Sequence, residues 1–310
     1  MIDRRTILGG MATICVAPWL RLATADEVAK KEKPDMKTVA WPVSLAQWSL
    51  HRMLRAGELS AEDFPAFTRE RFGITGVEYV NSFFKDRSTD DVWLSALDTR
   101  CKEAGVKSIL IMIDGEGALG DPDRSARSKT VENHYRWLHA AAALGCHGIR
   151  VNVPSKGTPE QQRDLCAAGL GDLLERADAM NLNVMIENHG GLSSNGGWLS
   201  SLIALVDHPR LGSLPDFGNF ILDWDTHEMY DRYQGVDELL PYAKALSAKS
   251  HDFDESGNET HTDYGRMFEL VRKHGYTGWI GVEYEGDALP EVEGIERTRD
   301  LLITNGCVAG

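Results

Sequence analysis

Ser44-Leu45-Ala46-Gln47-Trp48 closes the apolar run that begins at Val43, and it contains no glycine. A doubly wound nucleotide-binding sheet would place a glycine-rich phosphate turn directly after its first strand, so this stretch argues against that fold. Working outward, short apolar runs recur at 43–48, 76–80, 108–113, 148–153, 183–187, 213–216, 244–250 and 279–284, with starts about 30 to 40 residues apart. Helical patterns lie between them. Thr158-Pro159-Glu160 has the form of an N-cap followed by proline at the first helical position, and Thr262-Asp263 precedes a helical stretch at 264–274. Gly105, Gly145 and Gly275 follow helical runs as C-caps do. Eight strands, each followed by a helix, predict a single-domain α/β protein, a (β/α)8 barrel whose active site lies at the C-terminal strand ends.

Composition agrees. A chain of 310 residues with 42% hydrophobic content buries one large core, which excludes a disordered chain and a small disulfide scaffold. The net charge of −14 repels phosphate backbones and anionic lipid, so a nucleic-acid partner is not expected. Thirty glycines and eight tryptophans suit a loop-rich scaffold with an aromatic-lined pocket.

The N-terminus reads Asp3-Arg4-Arg5-Thr6-Ile7-Leu8, then an apolar run over 9–20, then Ala23-Thr24-Ala25. A charged start, a short apolar run and an A-x-A site predict a signal peptide over 1–25, and the paired arginines resemble a twin-arginine signal. The polar, unpatterned residues 26–40 are expected to form a flexible leader, and the barrel to occupy 41–310. Ile14 precedes Cys15 where a lipoprotein site needs a small residue, so no stable membrane anchor is expected. The expected location is periplasmic or secreted. Cleavage after Ala25 leaves 30 basic and 46 acidic residues, a charge of −16. Export of a folded protein often follows insertion of a metal or cofactor, which makes a metal site worth seeking. Cys101, Cys146, Cys166 and Cys307 would remain, with no C-x-x-C pair, so either one disulfide or buried free thiols fit.

The polar strand ends carry the chemistry. They read Glu78-Tyr79-Val80-Asn81, Arg150-Val151-Asn152, Glu187-Asn188-His189-Gly190-Gly191, Asp216-Phe217-Gly218-Asn219, Lys249-Ser250-His251-Asp252 and Glu283-Tyr284-Glu285. In a barrel, Glu187, Asp216, His251 and Glu283 converge at the mouth, and three carboxylates with one imidazole suit one divalent ion, Mn, Co, Mg or Zn. A strand-end carboxylate also serves as a helix cap or an arginine partner. Two choices stay open. Strand alternation puts Ser247, Lys249 and His251 on one face, so Ser247 competes with His251 for the metal-facing position; Glu285 competes with Glu283 in the same way.

The runs Ile186-Glu187-Asn188-His189-Gly190-Gly191, Asp216-Phe217-Gly218-Asn219 and Gly278-Trp279-Ile280-Gly281-Val282-Glu283-Tyr284 resemble the sugar phosphate isomerase/epimerase superfamily, the xylose isomerase-like TIM barrels, over about residues 43–304. The resemblance implies that Glu187, Asp216, Glu283 and His251 hold a divalent metal. The chain departs from the family's His-x-Lys-Asp pattern on strand seven, where it reads Ser247-Ala248-Lys249-Ser250. The resemblance further implies a small carbohydrate substrate, with Glu187 and Glu283 as catalytic acid and base; Lys249 is the third expected catalytic residue, placed to stabilise oxyanion charge. Glu78, Arg150, Asn152, Asn188, His189, Asn219 and Glu285 are the expected substrate contacts.

The expected function is a divalent-metal-dependent sugar isomerase or epimerase acting on an unphosphorylated keto sugar through a metal-stabilised enediolate. The alternatives are a lyase or hydratase on 3-keto-glycosides with the same metal site, or a non-catalytic sugar-binding barrel. Apurinic endonucleases of the superfamily use histidine-rich zinc sites and a basic face, which the acidic charge opposes. A homo-oligomer is compatible with the sequence.

Overall fold

The computed structural model describes residues 40–310. The signal expected at 1–25 and the leader that follows it, up to residue 39, lie outside the described residues. The barrel strands are β1 (Trp41–Ala46), β2 (Gly76–Val80), β3 (Lys107–Met112), β4 (Gly148–Val151), β5 (Asn183–Glu187) and β6 (Leu211–Leu214). After a small hairpin of β7 (Ile221–Asp223) and β8 (Glu228–Met229), they continue with β9 (Leu246–Ser250) and β10 (Ile280–Tyr284). A final strand, β11 (Cys307–Val308), pairs with the start of β1.

The order β6-β5-β4-β3-β2-β1-β10-β9 is parallel throughout, and β1 lies between β2 and β10. Only single bridges join the two ends of this ladder, Ser213 with Ala243 and Asp216 with Ser247. The expected (β/α)8 architecture is therefore present as a nearly closed ring. The strands match the eight expected runs to within two or three residues at each end. The early end of β6 has a local cause: Pro215 has no N–H to extend the ladder, and Asp216 forms an isolated bridge to Ser247 instead of ending the strand.

Two apolar layers hold the barrel. Inside, Ala46, Val80, Leu110, Met112, Met185, Leu214 and Ala245 pack into a plug beneath the polar strand ends. Outside, a larger layer fills the space between strands and helices; Trp41, Trp137, Phe217 and Phe268 are almost wholly buried there, each contributing on the order of 2–3 kcal/mol. The helix Pro159–Ala179 starts with a reciprocal cap between Thr158 and Gln161. The helix Tyr264–Lys273 is capped by Asp263, whose carboxylate accepts the Arg266 N–H, and not by Thr262. All four cysteines among the described residues are free and buried. No helix of the described residues is long and apolar enough to cross a membrane.

Candidate functional site

The plug leaves a polar floor above it. Glu187 at the end of β5, Asp216 just past β6 and Glu283 on β10 bring a carboxylate oxygen each to within 4.8 Å of one another. They are 1%, 0% and 5% exposed. Asp216 is held from both sides of its chain. Its Oδ1 accepts the Gly218 and Asn219 N–H groups at 2.8 and 2.7 Å, and its Oδ2 accepts the Ser247 hydroxyl at 2.6 Å. The same hydroxyl lies 2.8 Å from Glu283 Oε2. A serine has one hydroxyl hydrogen, so it serves one of these two carboxylates at a time, and the other oxygen faces it without a proton.

Two cations stand against the carboxylates. Lys249 Nζ is 3.0 Å from Glu283 Oε1 and 2.7 Å from Glu285 Oε2, with a side chain only 3% exposed. A Cβ on Gly218 would meet the Lys249 stem at 2.8 Å, so this glycine makes room for the buried lysine. Arg150 donates to Asp114 Oδ1 at 2.6 Å, and its Nε lies 2.7 Å from Glu187 Oε2, out of line for a hydrogen bond. Asn219 Nδ2 donates to the other Glu187 oxygen at 3.1 Å.

These surroundings separate the acids. Burial pushes Glu187 upward, and Arg150 offsets only part of that shift. Asp216 is pushed up by the same cause against Lys249. Burial would also raise Glu283, but the charge and hydrogen bond of Lys249 outweigh it and hold the carboxyl below its ordinary range. Asp114 is likewise held low, burial being outweighed by Arg150.

The floor opens into a cavity of about 760 Å³. Arg150, Asn152, His189, Asn219, Lys249, Glu283 and Glu285 of the expected site line it together. Three expected residues are placed elsewhere. His251 does not reach the carboxylate cluster; it sits past the end of β9 beside Glu259 and His261, and Ser247 takes the position between Asp216 and Glu283. Strand alternation sets this, since Ser247 is level with Gly281 and Lys249 with Glu283, leaving His251 beyond the last pair of the ladder. Asn188 is fully buried and binds backbone, accepting the Asp216 N–H and donating to the Asp216 and Asn219 carbonyls. Glu78 lies below the cavity in the barrel interior, bonded to Ser44, and burial pushes its carboxyl up to about 8.

Other residues line the cavity as well. Asp114 follows β3 and obeys the same strand-end rule that singled out the others. Trp48 donates its indole N–H to Glu285 and lies under the Arg55 guanidinium, 4.9 Å from its ring centre. Arg55 comes from the short helix His51–Ala56, Lys85 from the 3-10 turn Lys85–Arg87 and Trp224 from the β7–β8 turn, none of them at a strand end. The cavity thus carries more positive charge than the strand ends alone suggest.

The donor set tests well for a metal ion. Three buried carboxylates and a hydroxyl converge, all hard oxygens, and Glu187 Oε2 has no hydrogen-bond partner. Glu187, Asp216, Glu283 and Ser247 are the residues that would hold it.

Comparison with known proteins agrees with this fold. The family model described as a xylose isomerase-like TIM barrel matches residues 69–304. No curated protein matches the chain. Among solved structures, a xylose isomerase-like TIM barrel protein from Mycobacterium smegmatis in complex with magnesium superposes with a TM-score of 0.62 at 18% identity, covering 87% of this chain and 99% of that one. The 3-keto-D-glucoside 4-epimerase of E. coli, in its apo form, gives 0.59 at 16% identity, covering 85% and 98%. A probable 3-DHS dehydratase from Bacillus anthracis gives 0.61 at 18% identity, covering 84% and 98%. At such identities the likeness is one of fold.

Proposed function

Since the chain belongs to the xylose isomerase-like TIM barrel family, we propose that it is a divalent-metal-dependent sugar isomerase or epimerase acting on an unphosphorylated keto sugar. The observation that carries this reading is the buried cluster of Glu187, Asp216 and Glu283, flanked by Arg150 and Lys249 and reaching an open cavity through Glu283. A bound divalent ion would supply Lewis acidity toward a sugar carbonyl. With four oxygen donors and no nitrogen, the set favours Mg or Mn over Zn or Co.

The chain's own residues supply the proton chemistry. Glu283, kept ionised by Lys249, takes the proton from the carbon beside the carbonyl; the C–H electron pair becomes the C=C bond and the carbonyl π pair moves onto oxygen, giving an enediolate. Glu187, on the other side of the cluster, returns a proton, to the opposite face of that carbon in an epimerase or to the neighbouring carbon in an isomerase. Arg150 and Lys249 balance the carboxylates, Asn219 fixes the Glu187 rotamer, and Asn152 and His189 face the substrate hydroxyls. Since Arg150 and Lys249 are committed to carboxylates, the floor offers no spare cation to a phosphate; Arg55 and Lys85 stand at the rim.

Incubating the Mg- or Mn-loaded protein with D-fructose and with methyl 3-keto-D-glucoside in deuterated water tests this. Deuterium is expected at carbon in one of them. A metal-free sugar-binding barrel is the competing reading, favoured by the two cations that already neutralise the acids; sugar binding with no metal uptake and no exchange would establish it. We also propose, on the sequence of residues 1–25 alone, that the protein is exported by the twin-arginine route.

A further inference from the structure

Two tryptophans line the cavity in different ways. Trp48 is tied to the floor: its indole N–H bonds Glu285, which also binds Lys249, and Lys249 binds Glu283. Trp224 is tied to nothing there. It sits at the turn of the β7–β8 hairpin, 71% exposed, yet it belongs to the cavity lining. A large indole left in water costs burial free energy that most such residues recover by packing inward. Its ring edge lies over Gly190, where a Cβ would stand 3.4 Å from the indole nitrogen and where φ of +91° restricts the position to glycine. The loop after β5 and the hairpin after β6 therefore meet at the cavity mouth, with an indole between them and solvent.

From this geometry we propose that Trp224 is the platform for a second, non-reacting ring, so that the preferred substrate is a keto-glycoside whose distal group is itself a ring, not a free monosaccharide. The proposal rests on the carboxylate floor being the sugar-reacting site. The reacting ring lies beside Trp48 and Glu283, and the glycosidic substituent extends outward to Trp224. The axial C–H bonds on a pyranose face carry partial positive charge, which suits the negative face of an indole. A cavity of about 760 Å³ also lies near the upper end of small-ligand sites, with room for more than one sugar ring.

Calorimetry on the Mg-loaded protein, with methyl 3-keto-D-glucoside and with a disaccharide bearing the same 3-keto-D-glucosyl ring, separates the outcomes. The wild type is expected to bind the disaccharide about tenfold more tightly, and Trp224→Ala to abolish that advantage while Trp224→Phe keeps most of it. The emission of Trp224, read as the difference between wild type and Trp224→Phe, should shift to the blue with the disaccharide only. Equal affinity of the wild type for both sugars, or an equal loss for both in Trp224→Ala, overturns the Trp224 assignment and leaves the floor intact. If the wild type binds neither sugar, the reading of the floor falls, and this proposal with it.

Discussion

Ser247 and Asp216 meet at the seam where the barrel closes. They form the bridge between β9 and the end of β6, with Phe217 N–H donating to the Ser247 carbonyl and Ser247 Oγ lying 2.6 Å from Asp216 Oδ2. The contact that closes the ring thus also fixes one carboxylate of the candidate metal centre. It places a hydroxyl where the family resemblance led us to expect an imidazole.

Replacing that hydroxyl should show in metal selectivity. Ser247→Ala is expected to weaken Mg or Mn binding by about tenfold, and Ser247→His to move the preference toward Co or Zn by adding a nitrogen donor. Titration of the apoprotein with each ion, followed by calorimetry, measures both. Unchanged selectivity in Ser247→His would remove residue 247 from the metal's surroundings.

Glu283→Gln should reduce solvent deuterium incorporation by at least about a hundredfold, with substrate affinity changed by much less. Lys249 then keeps Glu285 as its partner, so the fold should survive. Turnover of wild type with substrate deuterium carried intact to the neighbouring carbon would indicate a hydride shift and leave the glutamates without an acid or base role.

Glu78 offers a pH test independent of activity. Its folded-state value of about 8 lies above that of an exposed glutamate because burial disfavours the anion. An acid raised on folding contributes stability below its unfolded pKa that is lost as pH rises through the folded pKa. In chelator, the melting temperature of wild type should therefore fall between about pH 5 and pH 8 more steeply than that of Glu78→Gln. Parallel curves would place the carboxyl in a more polar setting than the barrel interior.

Asn188→Ala should destabilise the protein by about 2–4 kcal/mol, because it strands the buried Asp216 N–H and C=O, while the Asn219 carbonyl keeps the Ser194 hydroxyl. Denaturant titration measures this, and metal affinity should fall with it, since Asp216 loses its clamp. A loss below about 0.5 kcal/mol would mean that these backbone groups find other partners.

For export, intact mass of the secreted protein is expected to show a chain starting at Asp26, and the double substitution Arg4→Lys, Arg5→Lys to retain it inside the cell. Exported protein that keeps residues 1–25 would refute the assignment.

The strands were legible because each is a short apolar run buried on both faces, and Glu187, Asp216 and Glu283 were legible because a charge beside such a run needs a purpose. Local order in the chain suffices for these features. The side-chain partners depended on where distant segments meet. Asn188 follows Glu187 directly, yet its neighbour turns to the carboxylate cluster while its own amide closes on the backbone of Asp216 and Asn219. The place of His251 was settled by register, since the β9–β10 ladder sets Lys249 level with Glu283 and ends one residue later. Trp48 and Trp224 lie 176 positions apart in the chain and share one cavity. Apolar periodicity is a property of single segments and can be read along the chain; the distances that make a site arise only when the ring closes and brings separate strand ends to one floor.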